Sequence, residues 1–183
     1  MKIAIIGWGS LIWQPKELAI EGDWHEDGPF LPVEFARFSG GDRLTPVILP
    51  GARLQRTLWA LSQKGALEEA RDSLRIREGT GLRFFGACLR GAKIDDNVPG
   101  CSNVLKWLTG IDLDGAVWTA LGPNRPDKVP GITTEDEKLA WLRDLVARDN
   151  AHHAREYIER APAQIDTPMR RRIREELGWG AAK

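Results

Sequence analysis

The sequence predicts an α+β protein, and three observations lead there. The first two thirds of the chain hold about six short apolar, β-branched segments punctuated by Gly and Pro. Most links between those segments are too short for helical crossovers, which favours a mixed or antiparallel sheet over a doubly wound one. Helix-start signals gather instead in the last third, from about residue 134 onward.

Each element follows from local chemistry. Residues 2–7 (KIAIIG) form a continuous β-branched run closed by glycine, the pattern of a buried strand. Pro15 opposes a helix directly after it. Residues 20–31 (IEGDWHEDGPFL) are polar and broken by Gly and Pro, and read as a surface loop. VEFARF and LTPVIL, separated by SGGDR, read as two strands about a Gly-rich turn, with Pro46 calling for an edge or a bulge in the second. Residues 55–62 (QRTLWALS) make a further strand, followed by a helix over 66–74 with Leu67, Ala70 and Leu74 on one face. Residues 82–89 and 116–121 are the last two strands. Between them, 91–114 lacks a clear period and reads mostly as loop, with a short helix around 104–108.

The C-terminal third is helical. Thr134 followed by Glu137 is a capping-box signature ahead of LAWLRDLV. A second helix covers 151–160 and stops at Pro162. Thr167-Pro168 supplies an N-cap and a favourable first position for MRRRIREEL, with Gly178 as the stop. Residues 1–183 are thus expected to form one domain with a helical C-terminal extension.

Composition narrows the function. The apolar fraction is 42% and the charged fraction 28%, the range of an ordinary globular protein. Twenty-six basic residues balance twenty-six acidic ones, which argues against nucleic acid or an anionic membrane as a partner. No stretch approaches the ~20 apolar residues of a membrane span, and the N-terminus does not read as a signal peptide. Cys88 and Cys101 give no disulfide framework, so the expected compartment is a reducing cytoplasm. Trp107, Trp118, Trp141 and Trp179 are expected in the core.

The residues after the first strand, Gly7, Trp8, Gly9, Ser10 and Leu11, form a glycine loop. A dinucleotide site would need G-x-G-x-x-G, but the third position is Ile12 and Pro15 falls where the phosphate-facing helix should run. Glycines do allow a backbone to approach a ligand, and successive amides form a nest for carboxylate or carbonyl oxygen. The string GWGSLIW resembles the GYGSLIW signature of the ChaC-like branch of the γ-glutamylcyclotransferases. A second stretch, QRTLWALSQKGALEEARDSLRIREGTGL, resembles that family's run of strand, short helix and R-E-x-G segment, here Arg77-Glu78 followed by Gly79 and Gly81. AREYIERA carries Tyr157, the chain's one tyrosine, near where relatives place a pocket tyrosine.

This resemblance covers about residues 2–90 closely and 115–160 more faintly. It implies a small closed mixed β-barrel with flanking helices, and a site of Gly7, Trp8, Gly9, Ser10, Leu11 and Tyr157 for substrate with Glu78 as general base. The implied reaction cyclises a γ-glutamyl amide or peptide, glutathione among the candidates, to 5-oxoproline and a free amine. It requires no metal or organic cofactor. Two departures stand out: Trp8 replaces the usual tyrosine, and Leu82 the aromatic residue that often follows the glycines. The C-terminal RAPAQIDTPMRRRIREELGW has no counterpart among glutathione-degrading members. These features support an alternative, a non-catalytic small-molecule-binding or interaction protein on the same fold.

Other constellations read as surface. His152, His153 and Glu156 have a spacing that can chelate a metal, but further ligands are not evident and a solvated helix face is favoured. His25 sits in an acidic loop, and Arg170, Arg171, Arg172 and Arg174 are followed at once by Glu175 and Glu176.

Overall fold

Strand β1 (Ile3–Gly7) is apolar on both faces and lies at the centre of the fold. In the computed structural model, which describes residues 1–180, Ala4 and Ile6 point into one apolar cluster and Ile3 and Ile5 into another. This is the period-2 consequence of a strand covered on both sides. β1 pairs antiparallel with β7 (Leu58–Ser62) and parallel with β9 (Gly115–Thr119). β2 (Ile20–His25) and β8 (Phe85–Leu89) complete a five-stranded mixed sheet of order β2-β7-β1-β9-β8. The fold is therefore α+β, with five α-helices among the described residues.

Two ribbons stand apart from that sheet. β3 (Phe30–Leu31) pairs with β6 (Gln55–Arg56), and β4 (Val33–Ser39) pairs with β5 (Arg43–Ile48). No closed barrel is found among the described residues, which corrects the barrel expectation. Pro32 separates β3 from β4, and Thr57, tied to Pro29 through both its amide and its hydroxyl, separates β6 from β7. The chain thus changes sheets where a barrel would need continuous strands. Pro46 lies in a two-stranded ribbon opposite a register shift between Phe35 and Arg37, the expected edge and bulge.

Helix α1 (Leu67–Glu78) packs Ala70 and Leu74 against Ile3, Ile5 and Val117 on one face of the sheet. The other face carries the β4–β5 ribbon, α2 (Cys101–Leu108), α3 (Glu135–Ala147), α4 (His152–Arg160) and α5 (Pro168–Leu177). The capping box at Thr134 and Glu137 is formed, and Thr167 caps α5 with Pro168 at its first position.

Several elements differ from the sequence expectation. The loop over 20–31 contains β2 and β3. Its alternation is weak because β2 is an edge strand whose residues are mostly exposed. α1 continues to Glu78, since only Gly79, with φ 64°, supplies the left-handed stop. Residues 82–84 form a 3₁₀ turn ahead of β8, and α2 begins at Cys101, earlier than the short helix expected there. Trp118 is fully buried and Trp179 nearly so, whereas Trp107 and Trp141 are only partly buried against the core.

Candidate functional site

The glycine loop leaves the C-terminal end of β1 and turns back at once, with Ile12 N–H donating to Gly9 O at 3.1 Å and Gln14 N–H to Ser10 O at 2.9 Å. Gly9 is required by contact. A Cβ there would lie 2.7 Å from the Tyr157 hydroxyl, too close without displacing it. Ser10 N–H donates to that same hydroxyl at 3.3 Å, joining residues 147 positions apart. The amides of Gly9 and Leu11 make no hydrogen bond among the described residues, and both residues line a cavity of about 230 Å³.

Glu78, the last residue of α1, lines the same cavity. It sits within the helix end and not beyond it, at the end of the dipole that is unfavourable to an anion. Arg77 offsets this by donating from Nη1 to Glu78 Oε1 at 2.6 Å. The other arm of Arg77 reaches the loop, donating from Nη2 to Gln14 O at 2.6 Å and to Ser10 Oγ at 3.3 Å. Its side chain is only 7% exposed, and its buried Nε has no partner. Arg77 thus braces the glycine loop against the helix that carries Glu78.

The sequence-predicted residues converge unevenly. Trp8, Gly9, Ser10, Leu11, Glu78 and Tyr157 all line the cavity, whereas Gly7 does not. Gly7 belongs to β1, where a Cβ would meet the Trp24 ring at 2.9 Å, so its glycine answers packing. Trp8 is 4% exposed, with its indole N–H donating to Pro46 O at 3.0 Å, and forms a fixed wall of the cavity. Tyr157 is enclosed by Trp13, edge-on at 5.2 Å. Burial holds its phenol above the ordinary pKa, with the nearby Glu78 carboxylate adding to the shift, so the hydroxyl keeps its proton at neutral pH.

Sequence reasoning missed three cations of the cavity, Lys16, Arg37 and Arg43. Arg37 on β4 and Arg43 on β5 line the wall built by the ribbon. The available signal was slight: Arg37 shares the VEFARF strand with Glu34, and Arg43 opens β5 at the end of the SGGDR turn. Burial pushes the Arg37 guanidinium below its ordinary pKa. The His152, His153 and Glu156 cluster lies outside this cavity. Its ligand atoms fall within 4.8 Å of one another, and Glu156 accepts from Arg160 at 3.0 Å. No helix among the described residues is long and apolar enough to cross a membrane.

Comparison with family models, with curated proteins and with solved structures finds nothing that matches this chain. The cavity must therefore be read on its own chemistry: one carboxylate, several cations, a protonated phenol and free amides on a turn.

Proposed function

We propose that the chain is a γ-glutamylcyclotransferase-type enzyme, cyclising a γ-glutamyl amide or peptide to 5-oxoproline with release of an amine. The observation that carries this is the sharing of one small cavity by the Glu78 carboxylate, the Gly9–Ser10–Leu11 turn and the Tyr157 hydroxyl. Arg77 occupies Oε1 of Glu78, and Oε2 is left for the substrate ammonium. Glu78 takes a proton from that ammonium, freeing the nitrogen to attack the γ-carbonyl carbon of the same molecule. The new C–N bond closes the five-membered ring and the bond to the leaving nitrogen breaks. Two protons leave the α-nitrogen, which becomes the lactam N–H, and two reach the leaving nitrogen, which departs as an ammonium. The amides of Gly9 and Leu11 and the phenol of Tyr157 supply donors for the oxyanion that forms between the two steps.

A second reading, a non-catalytic binder of a small anionic molecule, is favoured by the Arg77–Glu78 ion pair itself, which engages the carboxylate before any ligand arrives. Measurement of 5-oxoproline release from glutathione and a panel of γ-glutamyl amino acids and amines separates the two. Wild type is expected to form product, and Glu78→Gln to lose about 10³-fold or more of kcat/KM while still binding substrate. Full turnover by Glu78→Gln would sink the cyclisation reading; binding without turnover in the wild type would establish the binder.

A further inference from the structure

The first turns of α4 hold a cluster of metal-ligating side chains that the Glu78 cavity does not use. A ring nitrogen from each of His152 and His153 and a carboxylate oxygen of Glu156 all lie within 4.8 Å of one another. Helical geometry is the cause. Residues three and four apart share a face, which makes Glu156 a neighbour of both imidazoles. The two rings are themselves close, with 4.8 Å between centroids. A tetrahedral zinc ion holds its ligands at about 2.0–2.1 Å, which sets them about 3.3 Å from one another. Both imidazoles are exposed, so changes of side-chain rotamer can close that difference while the backbone stays in place.

The surrounding charges set the class of ion and the strength of its binding. Arg160 donates from Nη1 to Glu156 Oε1 at 3.0 Å, which leaves Oε2 for an ion, and Arg155 is matched by Glu159 at 2.9 Å. Two imidazoles and one carboxylate suit a borderline transition metal such as zinc, whereas calcium and magnesium require oxygen ligands. The positive end of the α4 dipole opposes any cation here, and three protein ligands fall short of a closed site. Both facts put the affinity in the micromolar range, far weaker than a four-ligand structural site.

The start of α4 is also the place where a fastening is missing. α3 and α5 begin on Thr134 and Thr167, whose side chains each accept from the backbone three residues on. α4 begins on Ala151, which has no side-chain acceptor to offer. It is 9 residues long, below the length at which a helix sustains itself in water. Yet it carries Tyr157, whose hydroxyl accepts from Ser10 N–H in the glycine turn. We propose that His152, His153 and Glu156 bind one divalent transition-metal ion of the zinc class, and that this ion fastens the uncapped first turn of α4. His153 and Glu156 line a second pocket, of about 400 Å³, that shares Ser10, Gln14, Arg43 and Tyr157 with the Glu78 cavity. The ion would thus steady the helix that forms one wall of that cavity. The site stands on its own donor set and does not depend on the cyclisation reading.

The test titrates zinc sulfate calorimetrically into the untagged, chelator-stripped full chain at neutral pH, for wild type, His152→Gln, His153→Gln and Glu156→Gln. Amide hydrogen exchange is followed with and without zinc. Wild type is expected to bind one ion, and each substitution should weaken binding by about tenfold or more, at least the loss seen when a supporting residue of a metal site is removed. Zinc should slow exchange across α4 in the wild type, leave α5 unchanged, and have no effect on α4 in His152→Gln. Both histidines are exposed, so their replacement leaves the core intact, and circular dichroism of each variant verifies this. No saturable binding by the wild type overturns the site. Binding that survives both histidine substitutions overturns it equally, since the ion then lies elsewhere. Binding through the histidines without added protection of α4 overturns the fastening. None of these outcomes bears on 5-oxoproline release, which is measured separately.

Discussion

Arg170 in the C-terminal helices and Arg37 in the cavity are both partly desolvated arginines whose pKa is lowered by burial, and neither pairs with a carboxylate among the described residues. Their donors tell them apart. Arg170 is 4% exposed and gives Nη1 to Pro162 O at 2.6 Å and Ile165 O at 3.1 Å, and Nη2 to Ala161 O at 2.6 Å. It ties the turn between α4 and α5 to the first turn of α5. Arg37 meets a single carbonyl, that of Gly122. A buried cation saturated by backbone carbonyls is a structural fastener. One left with free donors on a cavity wall has capacity for a ligand.

The largest effect that would break this comparison is on stability. Arg170→Met should cost about 3 kcal/mol, because the carbonyls of Ala161, Pro162 and Ile165 lose buried donors. At the other arginine of the cavity wall, Arg43→Met should change stability by no more than about 0.5 kcal/mol, since it gives up one hydrogen bond to Gly40 O and a 5.7 Å contact over the Tyr157 ring. Urea unfolding with matched m-values measures both. Equal costs for the two variants would show that donor saturation does not distinguish fastener from site.

A smaller effect sharpens the same contrast at the backbone. Gly9→Ala places a methyl 2.7 Å from the Tyr157 hydroxyl, inside a packed wall, whereas Gly40→Ala meets nothing within 4 Å. Gly9→Ala should lower kcat/KM for 5-oxoproline release by about tenfold or more and cost about 1–2 kcal/mol of stability. Gly40→Ala should alter neither. Unchanged turnover in Gly9→Ala would separate the Tyr157–Ser10 contact from the chemistry.

How much of this could be read from the sequence divides along the same line, between local and distant interactions. The caps at Thr134 and Thr167 and the stop at Gly178 were legible because each is formed by residues within a turn of one another. β1 was legible because burial on both faces leaves an uninterrupted apolar run. β2 was not, because a polar edge strand is defined by its partner β7, and that pairing joins residues such as Ile20 and Ser62 across the chain. The barrel expectation failed on two short interruptions, Pro32 and Thr57, whose consequence appears only when the ribbons are assembled. At the site, the glycine turn, Glu78 and Tyr157 could be singled out by residue type and motif. The convergence of Arg37 and Arg43 could not, because nothing in either strand states which wall it will build.

The smallest effect concerns two carboxylates that cap helices in opposite surroundings. Glu137 is exposed at the start of α3, and the Thr134 backbone N–H, then its hydroxyl, hold its carboxyl below the ordinary pKa. Glu34 is buried. It accepts from Phe35 N–H at 2.7 Å and from Met169 N–H, in the first turn of α5, at 3.4 Å, yet desolvation outweighs these and raises its pKa. The signs of linkage therefore oppose each other. The Glu137 contribution is present above its unfolded pKa and is lost as pH falls through the folded value. The Glu34 contribution is present below its unfolded pKa and is lost as pH rises through the folded value. Glutamine preserves the capping box, so Glu137→Gln should change stability little at neutral pH and should flatten the dependence of stability on pH between about pH 3 and 6. Glu34→Gln should steepen that same limb, because the side chain that took up a proton preferentially in the folded state is gone. Chemical unfolding across that range, with wild type alongside, reads both slopes. Slopes shifted in the same direction would mean that burial does not govern Glu34, and the contrast between a local exposed cap and a distant buried one would fail.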